Sequence, residues 1–88
     1  MKLTEEVRLS PDVVTRKIGT ETVLLNLASG MYYGLDPLGA RFLSMVEGGK
    51  TPLQARDALL ELYDVEAVTL DRDLGALLDS LASNGIVI

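Results

Sequence analysis

The sequence predicts an α+β domain, a three-stranded antiparallel sheet followed by three α-helices. Two observations carry this. Residues 13–35 run in β-branched, leucine- and tyrosine-rich stretches broken at Gly19-Thr20 and at Ala28-Ser29-Gly30. From residue 37 onward, apolar side chains recur at three- and four-residue spacing, and Pro37 and Pro52 each directly follow a capping residue, Asp36 and Thr51. With 88 residues, positions 1–88 form one small domain. A chain of this size buries roughly 60–65% of its unfolded surface, so good packing is needed for stability.

The elements follow in order. Met1 to Ser10 reads as polar and irregular, with Val7 and Leu9 alternating around Arg8 as a candidate short strand. Pro11-Asp12 is a turn. Val13–Ile18 is the first strand, dominated by β-branched residues. Glu21–Leu27 is the second, with Val23, Leu25 and Leu27 on one face and Thr22, Leu24 and Asn26 on the other. A tight turn at Ala28-Ser29-Gly30 leads into the third, Met31–Leu35. Met31, Tyr33 and Leu35 share one of its faces, and Tyr32 and Gly34 the other.

Asp36 caps a first helix over Pro37–Glu47, with Leu38, Phe42 and Met45 or Val46 as its apolar stripe, and Gly48-Gly49 ends it. Thr51-Pro52-Leu53-Gln54 is a capping box opening a second helix to Tyr63. Leu53, Ala55, Leu59, Leu62 and Tyr63 supply its apolar surface. After a loop at Asp64–Val68, Thr69 is the expected cap of a third helix over Leu70–Ser83. Leu70, Leu74, Leu77, Leu78 and Leu81 give that helix a wide apolar arc, and Asp71 and Asp73 suit its positive end. Ile86-Val87-Ile88 is an apolar tail expected to tuck against the core. Three helices with a β-ribbon form a winged helix-turn-helix-like layout, which many DNA binders share but which does not decide function.

Composition excludes several chemistries. The chain has no Cys and no His, so thiolate nucleophiles, imidazole bases, disulfides and the usual zinc ligands are absent. Absence of disulfides suits a reducing cytoplasm. The first residues form no secretory signal, and no stretch approaches the ~20 apolar residues of a membrane span. A net charge of −5 disfavours nucleic-acid partners. The third helix, which would enter a major groove, sets Arg72 against Asp71, Asp73 and Asp79. Asp79-Ser80-Leu81 resembles the attachment motif of acyl carrier proteins, but there the Ser opens a helix, whereas Ser80 lies near the end of the last one. Asp64, Glu66, Asp71 and Asp73 lack calcium-loop spacing. No enzyme and no cofactor are expected.

A binding module remains. An antiparallel meander leaves outer strand edges with free N–H and C=O groups, and a peptide can add there as another strand. Each backbone hydrogen bond contributes about 1 kcal/mol net, so tight binding also needs apolar pockets beside the edge. The wide arc of the third helix can supply them, with Gly75 as a shallow notch. The docking strand is Met31–Leu35, where proline at Tyr33 or Gly34 is expected to remove a ladder donor.

Specific residues carry a family resemblance. Val23-Leu24-Leu25-Asn26-Leu27, then Ser29-Gly30-Met31-Tyr32-Tyr33-Gly34-Leu35-Asp36, then Gly39-Ala40-Arg41-Phe42-Leu43 resemble the PqqD-type signature. Later pieces agree: Glu47-Gly48-Gly49-Lys50-Thr51, Leu59 to Val65, Asp73, and Leu81 to Ile86. The ordered set spans residues 7–88. The resemblance implies a non-catalytic recognition element for a ribosomally made, modified peptide. It further implies that the precursor's leader adds to the edge of the third strand, beside the third helix. That maps to Leu27, Met31, Tyr32, Tyr33, Gly34 and Leu35, with Asp71, Arg72, Leu74, Gly75, Leu78 and Asp79 along the groove. The chain looks most like the discrete leader-binding subunit of lasso-peptide systems, which presents the precursor to a leader peptidase and a macrocycle-forming cyclase. Three alternatives stand: the chaperone of pyrroloquinoline quinone synthesis, whose partner is a radical-SAM enzyme, a winged-helix DNA-binding regulator, and a purely structural subunit of some other complex. The expected state is a cytoplasmic monomer or weak homodimer.

Overall fold

The computed structural model describes residue 3 and residues 6–88. The reading of the chain start as irregular falls partly on residues 1, 2, 4 and 5, which lie outside the described residues. Three strands, β1 (Val13–Ile18), β2 (Glu21–Asn26) and β3 (Tyr32–Leu35), form an antiparallel sheet in the order β1-β2-β3. Three helices follow: α1 (Pro37–Glu47), α2 (Pro52–Leu62) and α3 (Ala67–Ser83).

The pleat sorts the sheet residues as their alternation predicts. Leu24, Asn26 and Leu35 are buried and Tyr33 is half-buried on the inner face, while Tyr32 and Gly34 face solvent. β2 stops at Asn26 rather than Leu27 because that side chain builds the turn. Its Oδ1 accepts hydrogen bonds from the N–H groups of Ala28 (2.9 Å) and Ser29 (3.2 Å). Gly30 closes the turn at φ 74°, its N–H donating to the Asn26 carbonyl at 2.8 Å. Asn26 Nδ2 reaches across the molecule to the Gly85 carbonyl at 3.1 Å.

The helix starts follow local chemistry. Asp36 Oδ1 accepts from the Gly39 N–H at 2.7 Å, and Pro37 occupies the first turn. The capping box is complete: Gln54 N–H donates to Thr51 Oγ1 (3.1 Å) and Thr51 N–H to Gln54 Oε1 (3.0 Å). Thr51→Ala is expected to lower stability by about 1 kcal/mol, read as a shifted urea midpoint at unchanged slope.

Two expectations about the later helices are corrected. α3 begins at Ala67, not Leu70, with Glu66 as its cap, and Thr69 lies inside the first turn. The Leu70 N–H donates to the Glu66 carbonyl at 3.0 Å, and Leu70 is itself buried. Anchoring Leu70 in the core extends the helix back over Val68 and Thr69, despite their weak helix propensity. Asp71 and Asp73 therefore lie beyond the first turn and do not complement the helix dipole there. In α2, Pro52, Ala55 and Leu59 are buried, whereas Leu53 and Leu62 are exposed. Neighbours cover only the stripe through Ala55 and Leu59.

The core joins Leu24 and Leu35 of the sheet to Phe42 and Leu43 of α1, Leu59 of α2, and Leu70, Leu74, Leu78 and Leu81 of α3. Each fully buried leucine contributes about 2 kcal/mol of transfer free energy. Ile86 and Val87 complete it, and the tail pairs with the chain start. Leu9 bridges Val87, the Ile88 N–H donates to the Arg8 carbonyl (2.8 Å), and the Ser10 N–H donates to the Ile86 carbonyl (2.9 Å). The short strand expected near Val7 and Leu9 thus pairs with the C-terminus, not with the sheet.

Candidate peptide-binding groove

Among the described residues both outer strands of the sheet have a free edge, and the two edges differ in character. β1 ends in Arg16-Lys17-Ile18, and charged residues discourage strand addition. β3 reads Tyr-Tyr-Gly-Leu, with no charge.

Hydrogen-bond parity fixes which groups of β3 are free. The Asn26 N–H donates to the Met31 carbonyl at 2.9 Å, continuing the β2–β3 register, while the Leu27 N–H donates the other way, to the Asp12 carbonyl at 2.9 Å. Antiparallel pairs alternate between bonded and non-bonded positions. Tyr33 and Leu35 therefore bond to β2, and the N–H and C=O groups of Tyr32 and Gly34 point outward from the edge. Proline at Gly34 removes an outward donor, whereas proline at Tyr33 breaks the sheet itself. The two substitutions are not equivalent, contrary to the sequence expectation.

Beside that edge lies a groove of about 400 Å³. Tyr33, Gly34 and Leu35 form one wall, Asp36, Leu38 and Gly39 the end where α1 begins, and Asp73, Leu74 and Leu77 of α3 the other wall. Gly39 sets how closely α1 and α3 approach. A Cβ there would lie 3.1 Å from Asp36 Oδ1 and 3.3 Å from Leu77 Cδ2. A larger cleft of about 650 Å³ is lined by β1, β2, α1 and Leu35 of β3. Thr15, Lys17, Thr22 and Arg41 stand on its walls, and it does not include the edge groups of Tyr32 and Gly34.

The groove brings together Tyr33, Gly34, Leu35 and Leu74 of the sequence-derived candidates. Met31 and Tyr32 are exposed where β3 begins, and Leu27 is exposed across the turn. Leu78 is fully buried in the core below Leu74, and Gly75 is half-buried. Asp71 turns toward α2, where its Oδ1 lies 2.9 Å from Arg56 Nε, an ionic contact without the angle of a hydrogen bond. Arg56 Nη1 also meets Asp57 Oδ1 at 2.9 Å. Arg72 and Asp79 are exposed. Asp36, Leu38, Gly39, Asp73 and Leu77 line the groove without having been singled out for it. Asp36 was legible: a residue that ends β3 and caps α1 must stand at the end of any groove along that strand.

Among the described residues no group of three His, Cys, Asp or Glu is placed to hold a metal ion, and no helix is long and apolar enough to cross a membrane. The arrangement offers a strand edge beside a groove lined by leucines and two carboxylates.

A family model described as coenzyme PQQ synthesis protein D (PqqD) matches residues 21–87. The chain belongs to the PqqD family. Within the family it is similar to two solved structures. One is TbiB1 in complex with the TbiA(β) leader peptide: 40% identity, 91% of this chain and 93% of that chain covered, TM-score 0.84. The other is lasso peptide synthetase B1 complexed with the leader peptide: 31% identity, 96% and 99% covered, TM-score 0.87. No curated protein sequence matches the chain.

Proposed function

We propose that this PqqD-family protein binds the leader peptide of a ribosomally made precursor in lasso peptide biosynthesis. The observation that carries the reading is the uncharged free edge of β3 beside a groove walled by Leu74 and Leu77, in a chain 40% identical to a protein solved with a leader peptide. The leader adds as a strand to Tyr32 and Gly34 and sends alternate side chains toward Leu74 and Leu77. The domain acts without catalysis, in the cytoplasm. It presents the precursor to a leader peptidase and a macrocycle-forming cyclase. Holding the leader raises the effective concentration of the core peptide at those enzymes.

The test is fluorescence anisotropy, with the labelled leader of the short precursor gene encoded beside this one. Saturable binding with a micromolar or tighter Kd, lost when the leader is scrambled, is the expected result. Four or five edge hydrogen bonds give only about 4–5 kcal/mol before ordering costs, so the trough must contribute the rest. Failure of that leader to bind, with tight binding to random duplex DNA at moderate salt, would overturn the reading.

A further inference from the structure

The charge of this protein is divided between its halves. Residues 1–51 carry six basic and six acidic side chains, whereas residues 52–88 carry seven carboxylates against Arg56 and Arg72 alone. The whole net charge of −5 therefore sits in the segment that contains α2 and α3. α3 forms one wall of the groove, and Asp73 stands on that wall. Asp36 stands at the end of the same groove, and among the described residues no basic side chain lines it. Asp36 uses Oδ1 to cap α1, and Asp73 has only a loose 3.6 Å contact with the exposed Arg72. The groove thus combines the leucines Leu38, Leu74 and Leu77 with two carboxylates, Asp36 where α1 begins and Asp73 on the α3 wall.

We propose that the groove selects leaders with a lysine or arginine at one inward-facing position, where the cationic head meets Asp36 and Asp73. The inference rests on the leader-binding reading and adds a specificity rule to it. An incoming strand alternates its side chains, so only every second leader residue faces α3. The aliphatic stem of a lysine or arginine lies along Leu77 and Leu38 while its charge reaches the two carboxylates, a division these amphipathic side chains favour. A glutamate at the same position meets two like charges. Both carboxylates are partly solvated, so the discrimination is moderate, about tenfold in Kd between Lys and Glu.

The experiment is a positional scan of the same leader peptide, with Lys, Ala and Glu placed in turn at each position. Each peptide is titrated against the wild type and against an Asp36→Asn/Asp73→Asn double variant. Asn is itself a good helix cap, so the variant keeps the start of α1. The expected result is a Lys-over-Glu preference of about tenfold at one position, or at two positions of the same alternation. It should fall to within about twofold in the double variant, and it should shrink in the wild type as salt rises from low to high. A merely structural role for the two aspartates would weaken all three peptides equally. Absence of any such preference in the wild type, or its persistence in the double variant, would overturn the proposal. Failure of every peptide to bind would overturn the leader-binding reading, and this proposal with it.

Discussion

Gly34→Pro is expected to weaken leader binding by roughly 30-fold while leaving the domain folded. Gly34 sits at a non-bonded position of the β2–β3 pair, so its N–H faces outward and belongs to the incoming strand. Proline removes that donor, at about 1 kcal/mol. Its ring also crowds the approaching chain at the centre of the edge, which costs about as much again. The fold tolerates the change because proline is admitted on edge strands where the lost N–H faces solvent. A built Cβ at Gly34 meets nothing within 4 Å, so the side-chain carbon itself is accommodated. Tyr33→Pro is the control. Its N–H belongs to the ladder with β2, so the loss is structural and appears as a lower melting temperature before any peptide is added. Anisotropy and circular dichroism on both variants separate the cases. A folded Gly34→Pro protein with wild-type affinity would sink the strand-addition model.

That contrast shows where the sequence was readable. Strand alternation and cap chemistry are local, and they placed β1, the start of α1 and the capping box of α2 correctly. The start of α3 was not local: Thr69 looks like a cap, but Leu70 is held by the core and draws the helix back to Ala67. The groove wall fails for a related reason. At about 100° per residue, Asp73 and Leu77 fall on one flank of the buried stripe through Leu70, Leu74, Leu78 and Leu81. Asp71 and Gly75 fall on the other flank, where Arg56 of α2 engages Asp71. Spacing alone reveals the stripe but not which flank meets β3. That is decided by how α3 rolls against α1, and the close approach of Leu77 to Gly39 fixes the roll. The family resemblance supplied the strand edge, and the helix rotation supplied its opposite wall.

Asn26→Ala is expected to lower stability by about 2–3 kcal/mol, the largest effect of any single polar substitution outside the groove. Asn26 is the one buried polar residue among those described, 7% exposed, and its side chain makes three hydrogen bonds. Truncation leaves the N–H groups of Ala28 and Ser29 and the carbonyl of Gly85 without their partner. Each costs about 1 kcal/mol where water can partly replace the lost group. A domain of this size has about 5–10 kcal/mol of total stability, so the melting temperature should fall by about 10–20 °C. Asn26→Asp divides the effect. The carboxylate keeps the two turn hydrogen bonds but meets the Gly85 carbonyl with like partial charge, so the damage is confined to one contact. That contact ties the β2–β3 turn to the end of α3, immediately before Ile86–Ile88 pairs with residues 8–10. Hydrogen exchange should therefore rise at Ile86 and Ile88 in Asn26→Asp, while the amides of Ala28 and Ser29 keep their protection. Equal exchange at both places would mean that the turn and the chain end open as one unit. The bridge to Gly85 would then hold the turn and the chain end together, rather than the chain end alone.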